Sequence, residues 1–232
     1  MRKLLALLLI SSLGVVSCSS ATAEISVSKS TVTGGAHTFK LEGWADNWFA
    51  AYLGDNLIVE DSVSITTERS FNAEAVTFEA DYPLQLNFIL KDYKENDTGL
   101  EYIGASNQQM GDGGFIMQLT DMDTGDIVAV SNADWACVVV HEAPLDKSCE
   151  GEENPVAGTS PCDFVDLGEP EGWKSADFDD SNWKATTVHS TTSVGVKDGY
   201  NQISWSSMAQ IIWGPDLETD NTLLCRITVE NP

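Results

Sequence analysis

Three carboxylates crowd one short stretch of the chain, Asp121-Met122-Asp123-Thr124-Gly125-Asp126. Asp121, Asp123 and Asp126 are hard oxygen donors of the kind calcium takes, so calcium is the cofactor such a turn could hold. The spacing lacks the further acid downstream that a helix-loop-helix calcium loop needs, and a polar hairpin turn bending at Gly125 accounts for the same residues. Softer donors are scattered. His37, His141 and His189, with Met110, Met117, Met122 and Met208, supply imidazole and thioether groups that suit copper, at spacings that carry no signal of a shared site.

Aromatic residues are the second chemical resource, with seven tryptophans in 232 residues. A pyranose packs its C–H face on a flat ring and needs hydrogen bonds at its edges. Trp44, Trp173, Tyr200 and Trp205 lie at strand ends or in polar text and are the candidate ligand-binding residues. Tyr200 and Trp205, within the polar run 198–205, lead that set. Core packing is the competing role for each of them, and for Trp135, Trp183 and Trp213 it is the reading adopted. No nucleophile with a base, no metal signature and no paired-carboxylate motif stands at a meaningful spacing, so the expected work is binding and not catalysis.

These residues belong to a chain laid out for export. Met1-Arg2-Lys3 and the apolar run Leu4 to Ile10 open a secretory signal segment over residues 1–23. Val15-Val16-Ser17-Cys18 resembles a bacterial lipobox and makes Cys18 the lipidation site, while Ala21-Thr22-Ala23 offers the competing cut before Glu24. A lipid at Cys18 would hold the protein on a membrane surface without a span, so the expected location is the cell envelope or beyond it. Either cut leaves Cys137, Cys149, Cys162 and Cys225, an even set that an oxidising compartment would pair. Cys149 and Cys162 flank a polar loop and are expected to bridge it. Cys137 and Cys225 lie in strand-like text, as a second bridge or as two buried thiols. With 36 acidic against 12 basic residues the chain carries a formal charge of -24, which excludes nucleic acid as a natural partner and leaves an extracellular glycan as the expected one.

The elements that must position these groups read as strands. Leu84, Leu86, Phe88 and Leu90 recur at period two, Trp48 to Leu53 and Leu57 to Glu60 flank the turn Gly54-Asp55-Asn56, and Leu223, Cys225, Ile227 and Val229 alternate with Leu224, Arg226 and Thr228. Further strands are expected at 76–80, 115–119, 127–130, 135–140 and 208–213, and residues 24–35 read as a linker or an edge strand. No window keeps a helical period. The stretch Gly172 to Ala185 reads as a latch, with Phe178 and Trp183 as anchors and Asp179, Asp180 and Ser181 capping a single helical turn. The fold class is therefore all-β, an antiparallel sandwich formed by one domain over residues 36–232.

Five pieces of text, taken in order, carry a family resemblance. They are Ala45-Asp46-Asn47 with Phe49 and Tyr52, Asn132-Ala133-Asp134-Trp135, Gly172-Trp173 with Phe178-Asp179-Asp180-Ser181-Asn182-Trp183, Ala209-Gln210-Ile211-Ile212-Trp213, and Leu224-Cys225-Arg226. The pattern resembles the galactose-binding-domain-like jelly rolls over roughly residues 36 to 230. That resemblance implies a jelly-roll sandwich with ligand loops at one end, serving as a carbohydrate-binding module. The ligand residues of that family are not part of the shared pattern, so none is carried over.

Overall fold

The structure, a computed structural model, describes residues 25–66 and 71–232. The signal segment, both cleavage sites and the lipidation assignment at Cys18 lie outside the described residues. Sixteen strands are described: β1 (Val27–Lys29), β2 (His37–Asp46), β3 (Trp48–Leu53), β4 (Asn56–Glu60), β5 (Ala73–Ala80), β6 (Leu84–Lys91), β7 (Leu100–Glu101) and β8 (Gln109–Met110). They continue with β9 (Gly114–Asp121), β10 (Ile127–Val130), β11 (Ala136–Glu142), β12 (Val165–Asp166), β13 (Lys184–Ala185), β14 (Thr187–His189), β15 (Ile211–Trp213) and β16 (Asp220–Val229). One seven-stranded sheet runs β1-β5-β2-β9-β15-β14, with β10 also on β9. The other runs β12-β11-β16-β6-β3-β4, with β13 also on β11. Pairing is antiparallel throughout both sheets except at the edge, where β1 lies parallel to β5.

The period-two residues of β6 point between the sheets, where Leu84, Leu86, Phe88 and Leu90 are fully buried. From the facing sheet come Phe39 and Leu41 on β2, Val76 and Phe78 on β5, and Phe115, Met117 and Leu119 on β9. At the centre Phe88 lies 5.6 Å from Phe115 and 4.8 Å from Trp135, and Phe49 lies 5.3 Å from Phe115. Each such side chain contributes about 1.5–3 kcal/mol by leaving water, so this layer supplies most of the driving force for the fold.

Both outer faces are also covered, which the half-buried strands of the sequence reading did not anticipate. On one sheet Ile89, Val140 and Leu224 lie under Trp173, Phe178 and Trp183 of the latch. Arg226, buried on the face expected to meet solvent, pins the latch. Its Nη1 donates to the carbonyl of Phe178 (3.0 Å) and to Asp180 (2.6 Å), its Nη2 to the carbonyl of Ser175 (2.6 Å), and its Nε to Asn87 (3.3 Å). The latch itself is a series of turns and not the single helical turn expected, because Asp179 Oδ1 accepts from the Ser181 N–H two residues on, an Asx turn that closes the chain locally. On the other sheet Trp44, Ile116 and Ile211 are covered by Val194 and Ile203, with Tyr200 and Trp205 packed at the margin.

Two disulfides form, Cys149–Cys162 across the polar loop and Cys137–Cys225 directly across the β11–β16 ladder. The second falls in register because Cys137 and Cys225 are cross-strand partners, so the two sites in strand text are one bridge. Both fit an oxidising environment. Replacing Cys149 and Cys162 by alanine should lower the unfolding free energy by about 3 kcal/mol, the loop-closure entropy of a short bridge, and urea titration of the double variant measures it. No described helix is long and apolar enough to cross a membrane.

Candidate functional site

The chain between β14 and β15 builds one wall of the site. It forms a short helix, Thr191–Val194, capped by the Ser190 hydroxyl on the Ser193 N–H, and then a 3-10 turn at Asp198–Gln202. The turn is fastened to the start of β5: the Gly199 N–H donates to the carbonyl of Phe71 (2.9 Å). Any Cβ at Gly199 would come within 2.5 Å of that carbonyl and of the Ala73 nitrogen, so only glycine allows the approach. Tyr200 and Trp205 follow, both half-buried, with ring centroids 5.9 Å apart and planes tilted by 39°. The Trp205 Nε1 donates to the Tyr200 carbonyl (2.9 Å), which fixes the indole on its own loop.

The other two aromatic candidates are corrected by the structure. Trp44 is fully buried beneath this loop, its Nε1 bonded to the Phe71 carbonyl (3.0 Å) and its ring edge-on to Tyr200 at 5.5 Å. Trp173 is 3% exposed, donates to Glu169 (2.8 Å) and has Lys174 over its ring. Neither has a face for a sugar, because Trp44 lies under one covering segment and Trp173 belongs to the other and is buried against the sheet beneath it.

A recess of about 350 Å³ adjoins the 3-10 turn, lined by Phe71, Tyr102, Asn107, Gln109 and Lys197. It combines two rings, two amides and an ammonium. The Lys197 Nζ stands 4.2 Å over the Phe71 ring, and Gln109 donates to Glu101 (3.0 Å). Sequence reasoning passed over these residues because 104–114 read only as a bending loop. The available signal was the amide cluster Asn107-Gln108-Gln109 close after Tyr102. The larger recess of about 760 Å³ between β10 and the end of β16 has one ring in its lining, Trp135, and that ring is 3% exposed.

The acidic turn divides. Asp121 and Asp123 converge with His37, their ligand-type atoms all within 4.8 Å of one another, while Asp126 lies outside that group. His37 Nδ1 is 3.3 Å from Asp121 Oδ2 and 3.8 Å from Asp123 Oδ2, and the Tyr82 hydroxyl donates to Asp121 (3.0 Å). Burial would raise the Asp121 pKa, but bonds from the Asp123 and Thr124 N–H groups, Tyr82 and the nearby His37 outweigh it and hold the carboxyl below the usual range. His141 and His189 stand elsewhere, on Asp97 (3.2 Å) and on the Gly214 carbonyl (2.9 Å), so the soft donors of the sequence do not assemble into one site.

A second acidic cluster, unseen in the sequence, stands at one end of the sandwich. Asp46 closes β2, Asp92 follows β6, Glu101 closes β7 and Asp112 precedes β9. Asp46 is fully buried and Asp92 is 3% exposed, and among the described residues neither carboxylate oxygen of Asp46 nor Oδ1 of Asp92 has a hydrogen-bond partner. The Lys197 Nζ lies 3.7 Å from Asp46 and 3.8 Å from Asp112. Burial pushes the Asp46 pKa up to about 8, with the Asp112 charge adding to the rise and Lys197 opposing it. Burial, then the charges of Asp46, Glu101 and Asp112, hold Asp92 well above the carboxylate range, and burial also raises Asp112. These four acids are far apart in sequence and only the meeting of loops at one sandwich end brings them together.

Compared with protein-family models, with curated proteins and with solved structures, the chain has no match. The functional reading therefore rests on the geometry of a disulfide-braced all-β sandwich with a polar, aromatic-lined recess at the foot of one covering loop.

Proposed function

We propose that the protein is a non-catalytic carbohydrate-binding module of galactose-binding-like jelly-roll type, presented outside the cell and held at the membrane surface by a lipid on Cys18. The observation that carries this reading is the recess of Phe71, Tyr102, Asn107, Gln109 and Lys197, the last of which opens the turn that carries Tyr200: ring surface for a sugar's C–H face, with amides and an ammonium for its hydroxyls. The main strands also alternate between the sheets in chain order, β2, β5 and β9 on one and β3, β6 and β11 on the other, which supports the jelly-roll assignment. A saturable change in tryptophan fluorescence is expected with one class of soluble polysaccharide. Gln109→Ala should weaken it about tenfold, since an unmet hydroxyl costs about 1.4 kcal/mol, and Trp205→Ala should remove most of the signal. A flat response across the panel, or full affinity in both variants together with Tyr200→Ala, would refute the reading.

A second reading is favoured by one specific observation, the convergence of His37, Asp121 and Asp123. One imidazole with two carboxylates suits a transition metal such as copper better than calcium. Equimolar copper should then be retained through desalting by the unaltered protein and lost from His37→Ala; equal retention in both would reject it.

A further inference from the structure

The recess beside the 3-10 turn is bordered by strained backbone at two places. Among the described residues, two non-glycine positions hold a positive φ: Tyr102, at 53°, lines the recess, and Asp198, at 22°, follows the lining residue Lys197. Side chains disfavour that region because the Cβ crowds the following carbonyl, and Gly99 (φ 75°) and Gly104 (φ 78°) show the usual residue for it on either side of Tyr102. A bulky ring where the backbone suits glycine points to a use for the ring. The Tyr102 ring is half-buried, and among the described residues no other ring, ammonium or guanidinium stands on it. Phe71, the other ring of the lining, already carries the Lys197 ammonium 4.2 Å over its face. Tyr102 is therefore the open flat surface of the recess.

On the basis of the carbohydrate reading, on which this step rests, we propose that the recess seats an uncharged saccharide on Tyr102 and turns away uronates and sulfated sugars. Its polar groups suit hydroxyls and are poorly placed for an anion. Lys197 is the cation described in the lining, and its Nζ already faces Asp46 at 3.7 Å and Asp112 at 3.8 Å. Gln109 gives its Nε2 to Glu101 (3.0 Å), which leaves its Oε1 as an acceptor, and a carboxylate or sulfate has no proton to offer it. Even with Asp46 holding a proton at neutral pH, an entering anion meets the carboxylates of Asp112 and Glu101 against one ammonium. A neutral pyranose avoids that repulsion. Its C–H face packs on Tyr102, while its hydroxyls donate to Gln109 and accept from Lys197, whose Nζ stands beyond hydrogen-bond reach of both its carboxylates. The exposed Asn107 amide can meet a further hydroxyl as donor or acceptor.

Titration calorimetry of the protein against two neutral polysaccharides, a galactomannan and a soluble β-glucan, and two anionic ones, polygalacturonate and dextran sulfate, tests this. A neutral polymer should bind at least about tenfold tighter than either anionic one at low salt, and the gap should narrow as salt rises. Asp112→Asn should narrow the gap about threefold by removing a charge beside Lys197. Asp55→Asn, on the β3–β4 turn, should leave the gap unchanged, which separates the recess from the general repulsion of a chain of charge -24. Tyr102→Phe keeps the ring and should bind within about twofold of the unaltered protein, whereas Tyr102→Ala should bind at least about tenfold more weakly. Tyr102→Gly should lose binding as well, yet unfold at a higher temperature than Tyr102→Ala, because glycine relaxes the left-handed backbone. No heat with any polymer would refute the carbohydrate reading and the uncharged-sugar proposal together. Three results would overturn the proposal and leave the carbohydrate reading standing: an anionic polymer bound as tightly as the best neutral one, full affinity for a neutral polymer in Tyr102→Ala, or a gap narrowed equally by Asp55→Asn.

Discussion

Arg226→Met should lower the unfolding free energy by about 3 kcal/mol and free the latch, because one guanidinium holds the segment through its carbonyls. Removing it takes the Arg226 bond from the Phe178 carbonyl and leaves the Ser175 carbonyl with only the Phe178 N–H (3.2 Å) and Asn87 Oδ1 with only Gln85 Nε2 (3.4 Å). Asn87 is itself fully buried and holds the segment from beneath, giving its amide hydrogens to the carbonyls of Lys174 and Gly54 (3.0 Å each). Methionine fills much of the space, so the loss reports the hydrogen bonds more than a cavity. Asp180→Asn is the control. Its side chain is 38% exposed while that of Arg226 is 3% exposed, and asparagine keeps an oxygen that can accept from Nη1, so this change should cost less than Arg226→Met. Urea unfolding gives both values, and amide exchange over Gly172 to Ala185 should rise sharply in Arg226→Met alone. An unchanged urea midpoint in that variant would mean that Trp173, Phe178 and Trp183 hold the latch by apolar contact.

Arg226 also shows where a sequence reading reaches its limit. Period two along β16 correctly separates Leu223, Cys225 and Val229, which enter the core, from Leu224 and Arg226 on the other face. Period two cannot say what lies against that other face, and alternation is silent about a segment arriving from some fifty residues away. Trp44 and Trp173 were misplaced for related reasons: Trp44 stands on the outer face of β2 under a loop with no periodicity of its own, and Trp173 belongs to such a loop and turns its ring onto the outer face of the other sheet. β2 escaped notice although Phe39, Leu41 and Ala45 alternate along it, because the Gly-rich text before His37 and Gly43 within it blur the pattern. The Cys149–Cys162 bridge was legible because a polar loop needs closing. The partnership of Cys137 with Cys225 awaited the β11–β16 register. At the acidic turn, spacing brought out Asp121 and Asp123, while His37 enters only because β2 runs beside β9 with Phe39 opposite Asp121. The carboxylates of the sandwich end, drawn from the last residues of β2 and β7 and from the segments after β6 and before β9, left no local trace at all.

Buried acids make the fold sensitive to pH in a direction opposite to that of a protein held by ionised salt bridges. Asp61, just past β4, is 5% exposed, and its Oδ1 accepts the Val63 N–H (2.9 Å). Burial pushes its pKa up to about 7, with the bonds from Val63 and Asn72 opposing the rise and the charge of Glu74 adding to it. The native state therefore keeps a proton that the unfolded chain releases near pH 3.8. Stability from this group is fully present below that value and is lost as pH rises toward the folded pKa, so the slope is negative across the window. Asp220, pushed up to about 6 mainly by burial, has the same sign. Asp61→Asn cannot titrate, and comparing it with the unaltered protein isolates the one group from the repulsion of the remaining acids. The stability of the unaltered protein relative to the variant should fall by about 4 kcal/mol between about pH 4 and about pH 8, so that the variant becomes the more stable of the two at the upper end. Urea unfolding at both pH values measures this. A difference that stays constant would mean that Asp61 ionises inside the fold with its charge met, the bonds from Val63 and Asn72 being enough to hold the carboxylate.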